Sequence, residues 1–268
     1  MHRVLLTLTA LSTLLLSGCY QIQMKRQARE SDVVVLDIGH YYHHQRGGQG
    51  ARTPNAKYGR IIEETEFWYR YAGFIKQELE SAGYQCIICN RGDVPADATL
   101  AKAAEKAQVH HVKSPVPTGI YRSKHHPKRM AVGMLSTNFA LDQKPAAVIY
   151  LHHNSNSNKW LVCNRGAFYC NEEGITLANT MAQTLNEELL NHGLPNNNQP
   201  CGIVLRTDGR KGGGDWLNAC NESYVPALIT EVTYLSNPEH AQFLSKPKNA
   251  EQFARTLGRG IVKFLQNR

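Results

Sequence analysis

The stretch VVVLDIGH, residues 33–40, passes from a β-branched apolar run to an acid, a glycine and a histidine. Its first five residues are typical of a buried strand. His40 follows where that strand is predicted to end, so a side chain able to bind a metal lies near its carboxyl end. Ligands of open α/β proteins bind at this edge of the sheet. The stretch therefore predicts an α/β fold with polar chemistry at a strand end.

The segments that follow alternate between helix and strand. Apolar positions in residues 64–82 recur at helical spacing, and Gly83 ends this helix as a C-terminal cap does. With the strand predicted at residues 84–89, this unit favours a twisted, mostly parallel sheet with helices on both faces, in a single domain. Further strands are predicted at residues 146–151, 166–169 and 226–232, and further helices at 98–110, 129–141, 175–190 and 249–265.

The N-terminus is predicted to direct export. His2 and Arg3 form a short basic start, and residues 4–16 form an apolar core that is too short to span a bilayer. The core leads into Leu-Ser-Gly-Cys, which resembles the lipobox of bacterial lipoproteins and implies cleavage before Cys19 and lipid attachment there. An ordinary secretion signal is the alternative. The predicted regions are a signal peptide at 1–18, a lipidated cysteine and linker at 19–31, and one folded domain at 32–268.

The net charge and the absence of certain motifs limit which binding partners are expected. The 268-residue chain has a net charge of +8, and residues 1–18 contain one arginine and no acid, so the exported chain has +7. A basic exported protein suits an anionic envelope polymer or a lipid surface, although a basic surface can also serve solubility alone. No nucleic-acid-binding motif is present, and we expect no nucleic acid partner. The residue directly after Cys19 is Tyr20, whereas an aspartate at this position is associated with retention in the inner membrane. This favours the outer membrane if the cell is Gram-negative.

Six of the seven cysteines remain after Cys19, and an even number in an exported protein suggests disulfides. Cys163 and Cys170 flank a turn signal, so a bridge across a hairpin is predicted. Cys201 and Cys220 surround a glycine-rich loop that a second bridge could hold, and the sequence leaves the disulfide connectivity open. The other two lie three apart in a predicted strand, where their side chains would face opposite sides.

Three polar residues occur at predicted strand ends, and a fourth begins a helix. His152 follows the third core strand, and Glu231 lies near the end of the fourth. Glu64 begins the first helix, whose N-terminus tolerates negative charge. Two histidines and a carboxylate can bind zinc and leave a position for water, and a further glutamate can move that water's protons. The combination of these groups predicts a metal-dependent hydrolase.

The motifs around these residues resemble one family. They are DIGH at residues 37–40, Glu64, YLHHN at residues 150–154 and EVTYLSN at residues 231–237. They are similar to the zinc-dependent N-acetylmuramoyl-L-alanine amidases of the type-3 class, which have Asp-Pro-Gly-His, a helix that begins with a Glu ligand, Ser-Ile-His-Ala-Asn and Glu-x-Gly-Phe-x-Ser-Asn. The resemblance spans residues 33–265 in order.

The resemblance implies the chemistry as well as the fold. It implies that His40, Glu64 and His152 bind Zn²⁺ and that Glu231 is the catalytic carboxylate. It further implies that zinc-activated water cleaves the amide bond between N-acetylmuramic acid and the L-alanine of the peptidoglycan stem peptide. Asp37 is predicted either to orient His40 or to end its strand with a hydrogen-bonded turn. Protein activators and the oligomeric state cannot be read from the sequence.

Two of the predicted ligands have competitors nearby. The family has Gly-Gly directly after the first histidine, whereas residues 41–46 are YYHHQR here. His40 remains the candidate ligand because it lies at the end of the predicted strand, whereas His43 and His44 lie in the loop after it. Glu63 and Glu66 compete with Glu64, which matches the family's ligand position when counted back from the glycine that ends the helix.

Two residues depart from the motifs beside the predicted site. His153 replaces the family's alanine, and Thr233 replaces its glycine. Neighbouring residues of an extended chain point to opposite sides, so His153 is not expected to share an ion with His152. The histidine pairs at 110–111 and 125–126 are interpreted as parts of a solvated loop region, with a segment that gates the site as the alternative.

Two other functions remain open at this point. One is a lipoprotein that keeps the fold and binds glycan or stem peptide without cleavage. The other is a related zinc peptidase that cuts a bond within the stem peptide or cross-bridge.

Overall fold

The computed structural model describes residues 30–42, 62–112, 142–154, 167–189, 201–205 and 225–268. The strands are β1 (Val33–Tyr42), β2 (Gln85–Gly92), β3 (His110–Val112), β4 (Ala147–Leu151), β5 (Ala167–Cys170), β6 (Gly202–Leu205) and β7 (Ala227–Glu231). The helices are α1 (Glu64–Ser81), α2 (Ala98–Ala107), α3 (Ile175–Glu188), α4 (Pro238–Leu244) and α5 (Pro247–Gln266).

The strands form one seven-stranded sheet in the order β3-β2-β1-β4-β7-β5-β6. Parallel pairing joins the first five of these, from β3 to β7. β5 is antiparallel to β7 and parallel to β6. The predicted mostly parallel sheet within a single α/β domain is confirmed, and the parallel strands share one carboxyl edge.

The larger hydrophobic cluster lies between the sheet and the described helices. Leu36 and Ile149 contribute from the sheet, and Phe67, Leu185 and Phe253 contribute from α1, α3 and α5. The helix α5 packs against both α1 and α3. Because each fully buried large apolar side chain stabilises the fold by about 1.5–3 kcal/mol, this layer fixes the helices on the sheet.

A smaller cluster lies on the opposite face of the sheet and includes Val35, Val148 and Ile229. The two cysteines of β2 separate between the faces: Cys86 belongs to the larger cluster and Cys89 to the smaller. This is the alternation expected of a strand. For the predicted bridges, Cys163 and Cys220 lie outside the described residues, so both pairings stay predictions.

Three short elements were not predicted. β3 and β6 have three and four residues and lie at the two edges of the sheet. The sequence predicted a helix end and a solvated loop region for the residues of β3, and a glycine-rich loop for the residues of β6. Strands this short carry little periodicity, and their pairing with a neighbour defines them. α4 was also missed, although Asn237 caps it and Pro238 begins it.

Other predictions fall outside the described part of the chain. The helix expected at residues 129–141 lies there, as do the signal peptide and Cys19. Within the described ranges, the helices lack the combination of length and apolar character that a membrane crossing requires.

Candidate metal centre

The carboxyl edge of the sheet brings three of the predicted site residues together. His40 lies near the end of β1, His152 directly follows β4, and Glu231 ends β7. Since β1 pairs with β4 and β4 pairs with β7, the three residues are neighbours along this edge. Glu64 joins them as the first residue of α1.

The carboxylate of Glu64 lies between the two histidines. Its Oε1 is 2.8 Å from His152 Nδ1, and its Oε2 is 3.2 Å from His40 Nε2. The two imidazoles meet edge to face, with ring centroids 4.9 Å apart. The main-chain N–H of His153 donates to Glu64 Oε1 at 2.9 Å. The carboxylate is therefore held by three groups, and only 1% of its side chain is exposed.

A bend at the end of β1 places His40 at this site. The register with β2 shifts between Ile38 and Tyr41, and His40 has a left-handed backbone with a φ of 64°. Asn90 holds the bend, since its Nδ2 donates to the carbonyls of Ile38 and His40 at 2.9 and 3.1 Å. The Tyr69 hydroxyl donates to Asn90 Oδ1 at 2.8 Å. These hydrogen bonds offset the cost of roughly 1–3 kcal/mol that such a backbone conformation carries.

The glycine of the DIGH motif makes room for the second histidine. A Cβ on Gly39 would lie 2.3 Å from His152 Cε1, so any larger residue would displace the ring. The Thr65 hydroxyl donates to the Gly39 carbonyl at 3.2 Å. On the other side, the main-chain N–H of His152 donates to Thr230 Oγ1 at 3.0 Å. His152 is therefore confined between β1 and β7.

The cluster of His40, Glu64 and His152 fits a metal ion. One ligand atom from each residue lies within 4.8 Å of the others. Burial alone would raise the pKa of Glu64, but hydrogen bonds with His152 and His40 outweigh it and hold that pKa well below its ordinary value. The carboxylate is therefore ionised at neutral pH. Two imidazoles and a carboxylate form a donor set that catalytic zinc takes with a position left open.

Glu231 lies beside this cluster as a second buried carboxylate, with 6% of its surface exposed. Burial, and then the negative charge of Glu64, raise the pKa of Glu231 to about 8. A group with a pKa near the working pH is suited to accept and return protons. A cation bound at the cluster would lower this pKa, because it would offset the charge of Glu64.

His153 belongs to the packed layer behind the cluster. Its ring stacks on Trp68, with centroids 4.9 Å apart and planes at 10°, and meets Phe67 edge to face. Its Nδ1 shares a hydrogen bond of 2.5 Å with Thr233 Oγ1. Burial lowers the pKa of His153 to about 3, so the ring is neutral. The ring thus faces aromatic packing, while the ring of His152 contacts Glu64.

The competing carboxylates and Asp37 take other positions. Glu66 lies in the first turn of α1 and Glu63 precedes that helix, and neither belongs to the cluster. Asp37 pairs in register with Cys89 and Tyr150, which places its side chain on the face of the smaller cluster. Both predicted roles of Asp37 stay predictions.

The described histidine pair also differs from expectation. Residues 110–111 begin β3, where His111 stacks against Tyr69 with centroids 5.9 Å apart. They are thus part of the sheet edge and not of a loop. The pair at 125–126 and the two histidines that follow His40 in the sequence lie outside the described residues.

Sequence reasoning missed the residues that position the site. Asn90, Thr65 and Thr230 hydrogen-bond to the main chain around the histidines. Asn90 carried a usable signal, because it is a polar residue that directly follows the apolar run of a predicted strand and must be hydrogen-bonded if buried. The threonines carried none, since threonine is common in strands and helices alike.

The fold and site define an α/β protein with a candidate metal centre at the carboxyl edge of its sheet. The sequence matches the N-acetylmuramoyl-L-alanine amidase family over residues 34–263. The chain belongs to this family and is a peptidoglycan amidase. No curated protein matches it in sequence.

Solved structures of amidases share the fold. An N-acetylmuramoyl-L-alanine amidase of Nostoc punctiforme has a TM-score of 0.53 at 17% identity, with 87% of this chain and 97% of that chain covered. The amidase CwlD of Clostridioides difficile, solved with the GerS lipoprotein, has a TM-score of 0.58 at 14% identity, with 88% and 99% covered. The apo amidase of Mycobacterium abscessus has a TM-score of 0.54 at 18% identity, with 87% and 98% covered.

Proposed function

We propose that His40, Glu64 and His152 hold a zinc ion and that Glu231 is the catalytic carboxylate of this amidase. The observation that carries the proposal is the buried Glu64 carboxylate between two imidazoles, with Glu231 beside it. An ionised carboxylate in a buried position needs positive charge or hydrogen bonds to be stable there. A bound zinc ion would supply Lewis acidity and would lower the pKa of a water molecule towards ~7.

The exposure of the two histidines indicates where substrate enters. The His40 side chain is 33% exposed, whereas the side chain of His152 is 3% exposed. The site therefore opens to solvent on the side of β1. The scissile amide would approach from this side, with Glu64 and His152 forming the closed back of the site.

Glu231 would move the protons of the reaction. In its ionised form it accepts a proton from the water that attacks the lactyl carbonyl carbon. It then donates this proton to the nitrogen of L-alanine as the C–N bond breaks. The products are a lactyl carboxylate on N-acetylmuramic acid and a stem peptide with a free amino terminus. General acid–base catalysis of this kind contributes typically ~10²–10⁴-fold to the rate.

The proposal places this chemistry at the cell envelope. Its support is the apolar N-terminal segment that leads into Cys19, together with the basic net charge. Lipid on Cys19 would anchor the enzyme to a membrane on its periplasmic face, with the outer membrane favoured. The even cysteine count supports disulfides in that compartment. Labelling with radioactive palmitate, compared between the wild type and Cys19→Ala, tests the anchor.

A digest of purified sacculi with the zinc-loaded protein tests the reaction. Mass spectrometry should show stem peptides that begin with L-alanine and glycan strands that keep the lactyl group. Peptides cut elsewhere in the stem or cross-bridge would replace the proposal with a zinc peptidase. Binding without released peptide would replace it with a binding lipoprotein.

A further inference from the structure

A side-chain hydrogen bond joins the two segments that carry His152 and Glu231. It connects His153 Nδ1 with Thr233 Oγ1. His153 follows His152 directly, and Thr233 lies two residues after Glu231. Both bonded residues are buried, at 2% and 0% exposure. The bond therefore lies immediately behind the site.

Main-chain pairing between the same segments continues past the ends of β4 and β7. The Asn154 N–H donates to the Thr233 carbonyl at 2.7 Å, and the Leu235 N–H donates to the Asn154 carbonyl at 3.0 Å. Asn154 and Tyr234 form an isolated parallel bridge. The side-chain bond thus reinforces a backbone connection that extends along both segments.

Aromatic packing fixes the ring that makes this bond. The imidazole of His153 stacks on Trp68 and Phe253, at 10° and 26° between planes. Its Nε2 is buried and has no hydrogen-bond partner in the described part of the chain. A phenylalanine at 153 together with a valine at 233 would pack among these aromatic rings without an unsatisfied polar atom, so stability alone does not account for the histidine–threonine pair.

We infer that His153 and Thr233 are a pair of positioning residues that fixes the distance between the metal ligand His152 and the carboxylate Glu231. The inference rests on the proposed function, because it assigns the pair a role in that reaction. The pair also comprises two departures from the family motifs, His for alanine and Thr for glycine, and the structure brings these two departures into direct contact.

The main test compares two substitutions of Thr233. Thr233→Val keeps the shape and removes the hydroxyl, whereas Thr233→Ser keeps the hydroxyl and loses a methyl group. We expect Thr233→Val to lower kcat by about tenfold with little change in KM, since small misplacements of reacting groups reduce rate strongly. Thr233→Ser should retain most activity although it lowers Tm. Thr184→Val, which removes a buried hydroxyl from α3, is the matched control and should leave kcat unchanged.

A second arm uses His153→Phe, which keeps the aromatic packing and removes the hydrogen bond. We expect it to lower kcat as Thr233→Val does, and to lower Tm because the buried Thr233 hydroxyl loses its partner. The double variant should be no slower than either single variant, because both remove the same interaction. Additive losses, or wild-type kcat in Thr233→Val, would overturn the inference.

A third readout does not depend on activity. Amide hydrogen exchange at Asn154 and Leu235 reports the pairing of the two segments. Exchange should be faster in Thr233→Val than in Thr233→Ser. Equal exchange in the two variants would contradict the positioning role of His153 and Thr233. If wild-type protein leaves sacculi intact, the proposed function fails, while this measurement still judges whether the bond holds the segments together.

Discussion

Two groups of charged side chains in this molecule differ in their access to water. At the carboxyl edge of the sheet, Glu64 is almost fully buried between His40 and His152. On the outer side of the helices, Arg259 of α5 pairs with Glu188 of α3, with both side chains at least one-third exposed. Each carboxylate has a pKa below its ordinary value because of its cationic or hydrogen-bonding neighbours.

The difference in exposure sets how large an effect each substitution is expected to have. Exposed ion pairs contribute about 0–1 kcal/mol, because water screens them. Removing one partner of a buried charged group costs several kcal/mol, since the other is left without compensation. We therefore expect changes at the sheet edge to alter stability strongly as well as metal binding and catalysis, and changes at the helix surface to alter stability only slightly.

The largest expected effect is on hydrolysis. Glu231→Gln removes the group that accepts and returns protons, so activity on sacculi should fall by about 10³-fold. Bound zinc should stay at the wild-type level, because Glu231 is not one of the three clustered ligands. Product release and elemental analysis measure the two quantities. Full activity in this variant would remove Glu231 from the mechanism.

The next effect is on metal affinity. Glu64→Gln removes the anionic ligand from the cluster, and zinc affinity should fall by more than the ~10–100-fold that loss of a ligand-orienting group costs. Glu66→Gln changes a half-buried acid in the same helical turn and serves as the control. Competition with a chelator measures both. Equal affinities in the two variants would show that Glu64 does not bind the metal.

The buried Glu231 should also give the metal-free protein a pH-dependent stability. Its pKa rises from an ordinary 4.5 to about 8 on folding, so the folded state retains a proton that the unfolded state loses in this interval. Stability from this group is present below pH ~4.5 and falls as pH rises towards 8. Thermal unfolding in a chelator should show this slope in the wild type and a flatter one in Glu231→Gln. Parallel curves for the two proteins would contradict the assignment.

The smallest effect is expected at the helix surface. Burial alone would raise the pKa of Glu188, but Arg259 outweighs it and lowers that pKa. The contribution is therefore present above the ordinary pKa and is lost as pH falls through the lowered one. Glu188→Gln should cost at most ~1 kcal/mol at pH 7, with no change in hydrolysis. Denaturant unfolding measures the stability. A loss of activity in Glu188→Gln would contradict the claim that the surface ion pair has no part in hydrolysis.

Long elements with strong periodicity were predictable from the sequence. The helical spacing that ends at Gly83 gave α1 within one residue, and the apolar run before His152 gave β4. These two elements place Glu64 and His152, so the core of the candidate site followed from local patterns together with the family resemblance.

What the sequence did not reveal depends on contacts between distant segments. The bend that turns His40 into the site requires Asn90 from β2, and the burial of His153 requires Trp68 and Phe253 from two helices. No local pattern encodes such pairings. The edge strands β3 and β6 were missed for the same reason, since each is defined by the neighbour that pairs with it.

X-ray absorption spectroscopy of the zinc-loaded protein tests the central claim most directly. The account predicts a first coordination sphere of two imidazole nitrogens with oxygen from a carboxylate and solvent, at about 2.0–2.2 Å, and loss of one imidazole in His152→Ala. A sphere that contains sulfur at about 2.3 Å, or one that His152→Ala leaves unchanged, would contradict it.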